Sequence, residues 1–241
     1  MAGHSKWKNI LHKKGKTDAQ RAKLFTKLSR EIIVAVREGG GPDVNVNPRL
    51  RDAVAKARAG NVPMDNVKRV IERAAGAAGG ENYERITYEG YGPSGVAVIV
   101  ETMTDNRNRT ASDMRHYFDK YGGNMGATGC VSWSFDRKGI LIVDAEGRDE
   151  DQTLEAALDC GADDFSSGDG VFEIVTAPER FSEARDALEK RGYAFLSAEI
   201  EMVPQNRVAL NDPEDIKKME KLLEMLEDND DVQSVWNNLE G

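Results

Sequence analysis

The residues best suited to chemistry are cations in the first forty positions, which could bind the phosphates of a nucleic acid. Five lysines and a tryptophan fall within the first sixteen residues: Lys6, Trp7, Lys8, Lys13, Lys14 and Lys16. Four more cations share one stripe at helical spacing: Lys23, Lys27, Arg30 and Arg37. Because cations meet phosphates and rings stack on bases, the pattern predicts a surface that follows a nucleic-acid backbone. The competing interpretation is a solvated charged face, and the scarcity of nearby acids weighs against it.

A second candidate phosphate site lies in residues 104–110, where a predicted strand ends and a helix begins. The first turn of a helix carries a partial positive charge, so arginines there oppose local stability. Combined with the unpaired N–H groups of that turn, Arg107 and Arg109 could hold a phosphate. The alternative is that both arginines form ion pairs with Glu101, Asp105 or Asp113, and the sequence leaves the choice open.

Two glycine-rich segments could approach a ligand closely. The turn at residues 90–95 presents Tyr91 near its tip, where the ring could stack on an unpaired base or fold back onto the sheet. Residues 122–129 follow a helix and lead to a strand, the reverse of the order in a dinucleotide-binding loop. We interpret the second segment as a helix C-cap and mobile loop without an assigned ligand.

Sequence motifs of enzymes and metal sites are absent. There is no GxxxxGK[ST] or GxSxG motif, and His4, His12 and His116 do not fall at the i, i+4 spacing of metal ligands. Cys130 and Cys160 lack CxxC spacing, which argues against a zinc module and suits a reducing compartment. A carboxylate nuclease is conceivable, but no cluster of acids at strand ends supports one. We therefore predict a protein that is not an enzyme and binds no cofactor or metal.

The apolar residues of the chain do not suggest membrane insertion or export. No run approaches the ~18 apolar residues of a membrane span, and the first ten residues lack the apolar core of a signal peptide. We expect a cytoplasmic monomer that has no membrane partner.

The net charge of −9 conceals two opposed regions. Residues 1–80 carry 17 Lys and Arg against 7 Asp and Glu, a net charge of +10. Residues 81–241 carry 16 against 35, a net charge of −19. A polyanion repelled by the average charge would still be attracted to the first third of the chain.

The hydrophobic period changes near residue 80. Before it, Leu24, Leu28, Ile32 and Val36 recur at four-residue spacing and predict a helix that ends at three glycines, residues 39–41. Asn47-Pro48 and Pro63 begin two further helices. An Ala- and Gly-rich linker, residues 74–82, precedes short strands that alternate with helices.

The second part of the chain predicts two ferredoxin-like units. Residues 139–203 follow the order β-α-β-β-α-β, with a hairpin turn at residues 167–170. Residues 96–136, including a strand at 131–135, supply β-α-β, and the tail supplies another with a short strand near Val208. We predict an α+β protein with an N-terminal three-helix domain followed by two ferredoxin-like α/β domains, one inserted in the other. The domains are a basic helical domain at 1–80, a discontinuous domain at 81–137 plus 205–241, and an inserted acidic domain at 138–204.

Several segments resemble one family closely. MAGHSKWKNI, AKLFTKLSREI, YEGYGPSGVAVIVETMTDNRNRT and GCVSWSF are similar to YebC proteins, which include probable transcriptional regulators and a mitochondrial translational activator of cytochrome c oxidase. The resemblance implies a three-domain α+β protein that acts on gene expression, by binding promoter DNA or by relieving ribosomes stalled at proline-rich stretches. Ser94-Gly95 replaces the expected Gly-Gly after Pro93, and serine tolerates most positions of a type I turn.

Three functions follow from these features. A ribosome-associated translation factor is favoured, because the basic residues are spread over an arm, a helix and loop tips and no recognition helix is visible. Its partners would be ribosomal RNA and, as further candidates, ribosomal proteins. The alternative is a DNA-binding transcriptional regulator of the YebC type. A remote third function is a protein-interaction module built on residues 137–204, which carry 7 Lys and Arg against 17 Asp and Glu.

Overall fold

The structure, a computed structural model, describes residues 18–76 and 82–240. These residues form seven helices and two four-stranded antiparallel sheets, which confirms the predicted α+β class. They divide into two compact units, one made of residues 136–203 and one made of the described residues before and after that segment. The further division of the larger unit into a helical and a sheet domain stays a prediction.

Three helices begin the larger unit: α1 (Asp18–Glu38), α2 (Pro48–Ala59) and α3 (Met64–Gly76). The side-chain oxygen of Asn47 accepts a hydrogen bond from the Leu50 N–H at 3.0 Å, so the predicted N-cap of the second helix is confirmed. The predicted apolar stripes meet in one core whose most buried members are Leu28, Ile32, Leu50, Ala57 and Val67.

The chain continues as a hairpin of β1 (Glu84–Tyr91) and β2 (Ala97–Thr104), followed by α4 (Arg107–Lys120) and β3 (Asn124–Met125). β3 pairs with the end of β1. The predicted strand at 131–135 is wrong, because the N–H groups of Val131 and Ser132 bond to the Glu89 carboxylate. Residues 132–134 form a 3-10 turn instead.

The turn between β1 and β2 contains a serine in a backbone conformation that favours glycine. Ser94 has a φ of 52°, in the left-handed region, so it does not take one of the type I turn positions that serine tolerates readily. Its hydroxyl donates a hydrogen bond to Asp215, which offsets part of the strain.

The smaller unit contains β4 (Phe135–Asp144), α5 (Glu150–Asp159), β5 (Asp164–Gly168), β6 (Val171–Thr176), α6 (Phe181–Lys190) and β7 (Phe195–Pro204). Its sheet has the order β5-β6-β4-β7, so the predicted ferredoxin-like order is confirmed. The β5–β6 turn has positive φ at both Asp169 and Gly170, as a type I′ hairpin requires. Leu141, Phe172, Ile174 and Leu188 form the centre of its core.

The larger unit is completed by α7 (Pro213–Asp228) and β8 (Val232–Asn237). Its sheet has the order β3-β1-β2-β8, so β1, and not a strand of the tail, lies between β2 and β3. Val208 makes only an isolated bridge to Leu239, and the strand predicted there is wrong. Met114 and Phe118 of α4 pack with Met219 and Leu222 of α7, which forms the core that fixes both helices on the sheet.

Candidate nucleic-acid interface

Three of the four cations predicted on α1 contact an acidic segment of the same chain, residues 227–231. Lys23 Nζ lies 2.8 Å from Asp228 Oδ1, and Lys27 Nζ donates to the Glu227 carbonyl oxygen at 2.8 Å. Arg30 Nη1 lies 2.7 Å from Asp231 Oδ1 and also donates to the Asp230 carbonyl oxygen. Three of the four cations of this stripe therefore contact the acidic segment and do not form an open track, and their binding of phosphates stays a prediction.

Asp231 is the centre of this contact. Its side chain is 5 % exposed, and its Oδ2 lies 2.8 Å from Arg109 Nη2 and 2.7 Å from Thr110 Oγ1. Thr104 at the end of β2 lies 3.1 Å from the same oxygen. One carboxylate thus connects α1, β2 and the first turn of α4.

The ionisation of Asp231 follows from these contacts. Burial alone would raise its pKa, but hydrogen bonds from Arg109, Thr110 and Arg30 outweigh burial and lower the pKa below its ordinary value. The carboxylate therefore stays charged near neutral pH and stabilises the two guanidinium groups beside it.

Arg109 belongs to this cluster. Its Nη2 lies 2.8 Å from both Asp105 Oδ1 and Asp231 Oδ2, and these contacts raise the pKa of its guanidinium. The side chain of Asn106 caps α4 by accepting a hydrogen bond from the Arg109 N–H. Arg109 therefore forms an ion pair with Asp105, as the alternative interpretation of the sequence proposed. Its second partner, Asp231, was not predicted from the sequence.

Arg107 differs from Arg109 although both lie in the same helical turn. Its side chain is exposed, and among the described residues it makes no ion pair or hydrogen bond. A phosphate contact by Arg107 stays a prediction. Arg37 is exposed in the last turn of α1, where the helix dipole favours a cation.

Replacing Arg109 should lower the stability of the fold, whereas replacing Arg107 should leave it nearly unchanged. Arg109→Ala should lower the free energy of unfolding by about 1–2 kcal/mol, because it removes charged hydrogen bonds from buried Asp231. Arg107→Ala should change it by less than about 0.5 kcal/mol. Chemical denaturation of both variants measures the difference, and equal losses of stability would contradict these assignments.

Tyr91 contacts a loop of the same chain, whereas the second of its two predicted conformations placed the ring on the sheet. Its hydroxyl donates a hydrogen bond to the Cys130 carbonyl oxygen at 3.1 Å, and the residue is half-buried. The ring therefore folds onto the loop that contains residues 126–134. Stacking of a base on Tyr91 stays a prediction, and this geometry favours a supporting role.

That loop is held by a buried glutamate. The Glu89 carboxylate accepts hydrogen bonds from the N–H groups of Gly129, Val131 and Ser132 at 2.8, 2.9 and 2.9 Å. Burial would raise the pKa of Glu89, but the three backbone donors outweigh burial and lower it. The loop is therefore bonded to the middle of the sheet instead of being mobile.

Replacing Glu89 tests the role of its charge. Glu89→Gln should lower the free energy of unfolding by about 2 kcal/mol, because the amide NH₂ replaces an acceptor among three donors. Since the pKa of Glu89 is lowered in the folded state, the deficit should be present above the unfolded pKa of about 4.3 and shrink as pH falls below it. Urea denaturation at several pH values measures this deficit, and a constant deficit would contradict the assignment.

Four of the exposed cations on helices α2 and α3 were not among the binding residues predicted from the sequence. Among the described residues these side chains make no ion pair or hydrogen bond: Arg58 at the end of α2, and Lys68, Arg69 and Arg73 on α3. Asp65 and Glu72 lie four residues from Arg69 and Lys68 on the same helix, a spacing at which ion pairs can form. The structure shows that such pairs do not form, which leaves these cations available to a polyanion.

Six predicted residues lie outside the described residues: Lys6, Trp7, Lys8, Lys13, Lys14 and Lys16. Their role in binding nucleic acid stays a prediction. In the described ranges, no three His, Cys, Asp or Glu side chains come together as metal ligands would. None of the helices in residues 18–76 and 82–240 is both long and apolar enough to cross a membrane.

The fold and surface define a two-unit α+β protein whose helical region presents unpaired cations. Family models for the TACO1/YebC protein N-terminal domain and the TACO1/YebC second and third domain match residues 5–77 and 83–239. The chain belongs to the TACO1/YebC family, which confirms the resemblance seen in its sequence.

Relatives of known sequence span the whole chain. A protein of Caldicellulosiruptor bescii is 59% identical over 241 residues, covering 100% of this chain and 98% of the relative. A protein of Acetivibrio thermocellus is 56% identical over 242 residues, covering 100% of both. Each is named a probable transcriptional regulatory protein. A solved structure of a conserved hypothetical protein from Aquifex aeolicus is 50% identical, with a TM-score of 0.85, and the match covers 94% of this chain and 93% of that one.

Proposed function

We propose that this protein is a non-enzymatic, nucleic-acid-binding regulator of gene expression that acts on transcription by binding DNA. The names of its relatives support this function over the ribosomal role favoured by sequence patterns alone. The observation that best supports nucleic-acid binding is a set of exposed cations on α2 and α3. Among the described residues these side chains make no ion pair or hydrogen bond: Arg58, Lys68, Arg69 and Arg73. In the proposal, these residues and the lysines of the first sixteen positions contact phosphates, which gives salt-dependent affinity.

The α1 cations have a different role in this proposal. Lys23, Lys27 and Arg30 neutralise the acidic segment at residues 227–231, which would otherwise repel phosphates beside the helices. The helix therefore supports the binding surface without contributing these three side chains to it.

A ribosome-associated translation factor remains the second candidate, for one observation. Trp133 is 70% exposed on a loop held to the sheet, and an exposed aromatic suits the unpaired bases of folded RNA. Ribosomal RNA and ribosomal proteins would be the partners in that case.

Three measurements separate the candidates: one in the host cell, one on purified protein and one on lysate. Chromatin immunoprecipitation should enrich a limited set of promoter fragments, and purified protein should retain those fragments in a gel-shift at physiological salt. Gradient sedimentation of lysate, with and without nuclease, should leave the protein outside the ribosomal fractions. Ribosomal co-sedimentation that nuclease abolishes, together with unselective DNA retention, would overturn the transcriptional role in favour of translation.

A further inference from the structure

Trp133 is the large aromatic side chain most exposed among the described residues, and the proposed phosphate contacts leave it without a role. Its exposed fraction is 70%. It lies in a 3-10 turn, residues 132–134, on the loop that follows β3. Stacking requires an accessible aromatic face, and Trp133 presents one on a loop that hydrogen bonds hold to the sheet.

We propose that Trp133 is a stacking platform for an unpaired base of a single-stranded nucleic acid. The inference rests on the proposed nucleic-acid binding and names the side chain that would recognise bases instead of phosphates. Stacking of a base on an aromatic ring needs only one open ring face and is tolerant of sequence.

The indole is held in one orientation by its own polar atom. Trp133 Nε1 donates a hydrogen bond to the Cys130 carbonyl oxygen at 3.0 Å. The Tyr91 hydroxyl donates to the same carbonyl oxygen at 3.1 Å. Because the N–H of the indole is satisfied within the loop, the surface left for a ligand is the apolar ring.

The loop itself is ordered before any ligand binds. The Glu89 carboxylate holds three of its N–H groups, at Gly129, Val131 and Ser132. The Ser134 N–H bonds to the Val131 carbonyl oxygen at 3.0 Å and closes the 3-10 turn. Such preorganisation lowers the entropy lost on binding, which is the property that a stacking platform requires.

The surroundings of Trp133 favour a base over a protein partner. Trp133 is the only exposed large apolar side chain between residues 122 and 136, and the residues on either side of it in the sequence are serines. A stable protein interface buries about 800 Å² per partner around an apolar centre of several residues. One isolated ring matches the size of one base.

Fluorescence anisotropy with labelled oligonucleotides tests the proposal. The probes are 12-nucleotide oligo(U), 12-nucleotide oligo(dT) and a 12-base-pair duplex, and the proteins are wild type, Trp133→Ala, Trp133→Leu and Trp133→Phe in the full chain. Trp133→Ala and Trp133→Leu should each bind the single strands about ten- to a hundredfold more weakly, and Trp133→Phe should retain most of the affinity. Affinity for the duplex should change less than about twofold, since paired bases do not stack on the ring.

The variants also separate stacking from structure and DNA from RNA. Leucine keeps the apolar contact but has no π face, so equal binding by Trp133→Leu and wild type would overturn the proposal. A uniform loss on single strands and duplex, with a lower Tm, would also overturn it in favour of a structural role. A larger loss with oligo(U) than with oligo(dT) identifies RNA as the source of the base, and the reverse identifies DNA.

Failure of the inference is distinguishable from failure of the proposed function. If the wild type binds the duplex and Trp133→Ala binds every probe as the wild type does, only the stacking role is overturned. If the wild type binds none of the probes, nucleic-acid binding and the stacking role are both overturned.

Discussion

Asp231→Asn is expected to lower the free energy of unfolding by about 3–5 kcal/mol, because it leaves the mostly buried guanidinium of Arg30 without its acid. The side chain of Arg30 is 14% exposed and makes its ion pair with Asp231. Asparagine keeps the shape of the side chain, but it removes the charge and places an NH₂ group or a neutral oxygen among donors. Urea denaturation at pH 7 measures the loss.

The matched control is Asp228→Asn, three residues before Asp231 in the same acidic segment. Asp228 pairs with Lys23 at a similar distance of 2.8 Å, but its side chain is 60% exposed. An exposed pair contributes little, so the control should change stability by less than about 1 kcal/mol. Equal effects of the two substitutions would contradict the assignment of Asp231 as the centre of the contact.

The effect of Asp231→Asn should depend on pH in a defined direction. The pKa of Asp231 is lower in the folded state than its unfolded value of about 3.8, so its contribution is fully present above that value. The contribution is lost as pH falls through the folded pKa. The difference between wild type and variant should therefore be constant from pH 5 to 7 and shrink below pH 4.

The second large effect concerns binding. Replacing Lys68, Arg69 and Arg73 together by glutamine is expected to weaken duplex DNA binding about a hundredfold near 0.15 M salt. Each lost phosphate contact should reduce the slope of log K against log salt by about 0.9, so the triple variant should lose about 2.7 from the slope. Binding measured between 0.05 and 0.3 M salt gives both values.

Cations elsewhere in the chain provide the matched control. Lys190 and Lys217 are also exposed and, among the described residues, make no ion pair or hydrogen bond, but they lie in the acidic part of the chain. Replacing both by glutamine should leave the affinity and the salt slope nearly unchanged. If the control weakens binding as much per residue as the triple variant does, the affinity arises from total charge and the α3 surface is not its source.

Charge-reversal substitutions on α1 can reduce binding of nucleic acid by destabilising the fold, so their binding measurement needs a stability measurement beside it. Reversing Lys23, Lys27 and Arg30 to glutamate places three acids against residues 227–231 and leaves Asp231 without one of its two arginines. Loss of binding in such a variant would therefore report unfolding of the contact. A melting curve distinguishes this effect from the loss of phosphate contacts.

Local sequence signals determined most of the secondary structure. Three such signals each act within one helix or one hairpin. They are the four-residue spacing of Leu24, Leu28, Ile32 and Val36, the Asn47-Pro48 cap and the Asp169-Gly170 turn. The inserted unit follows from the same kind of signal, because its strands and helices alternate in the order of the fold. These features depend on neighbouring residues, so the sequence alone determines them.

Only the tertiary structure decided which cationic side chains are exposed and which contact acids of the same chain. Lys23, Lys27 and Arg30 lie about 200 residues from the acids and carbonyl oxygens that they contact, and no local spacing predicts such pairs. The same holds for Glu89, whose partners lie 40 to 43 residues later. The sequence determined that the helices are cationic and that residues 122–129 form a loop, but its pattern wrongly extended a strand over residues 131–135. The packing of α1 beside Asp231 decided which cations remain exposed, and the bonds to Glu89 decided that the loop presents Trp133.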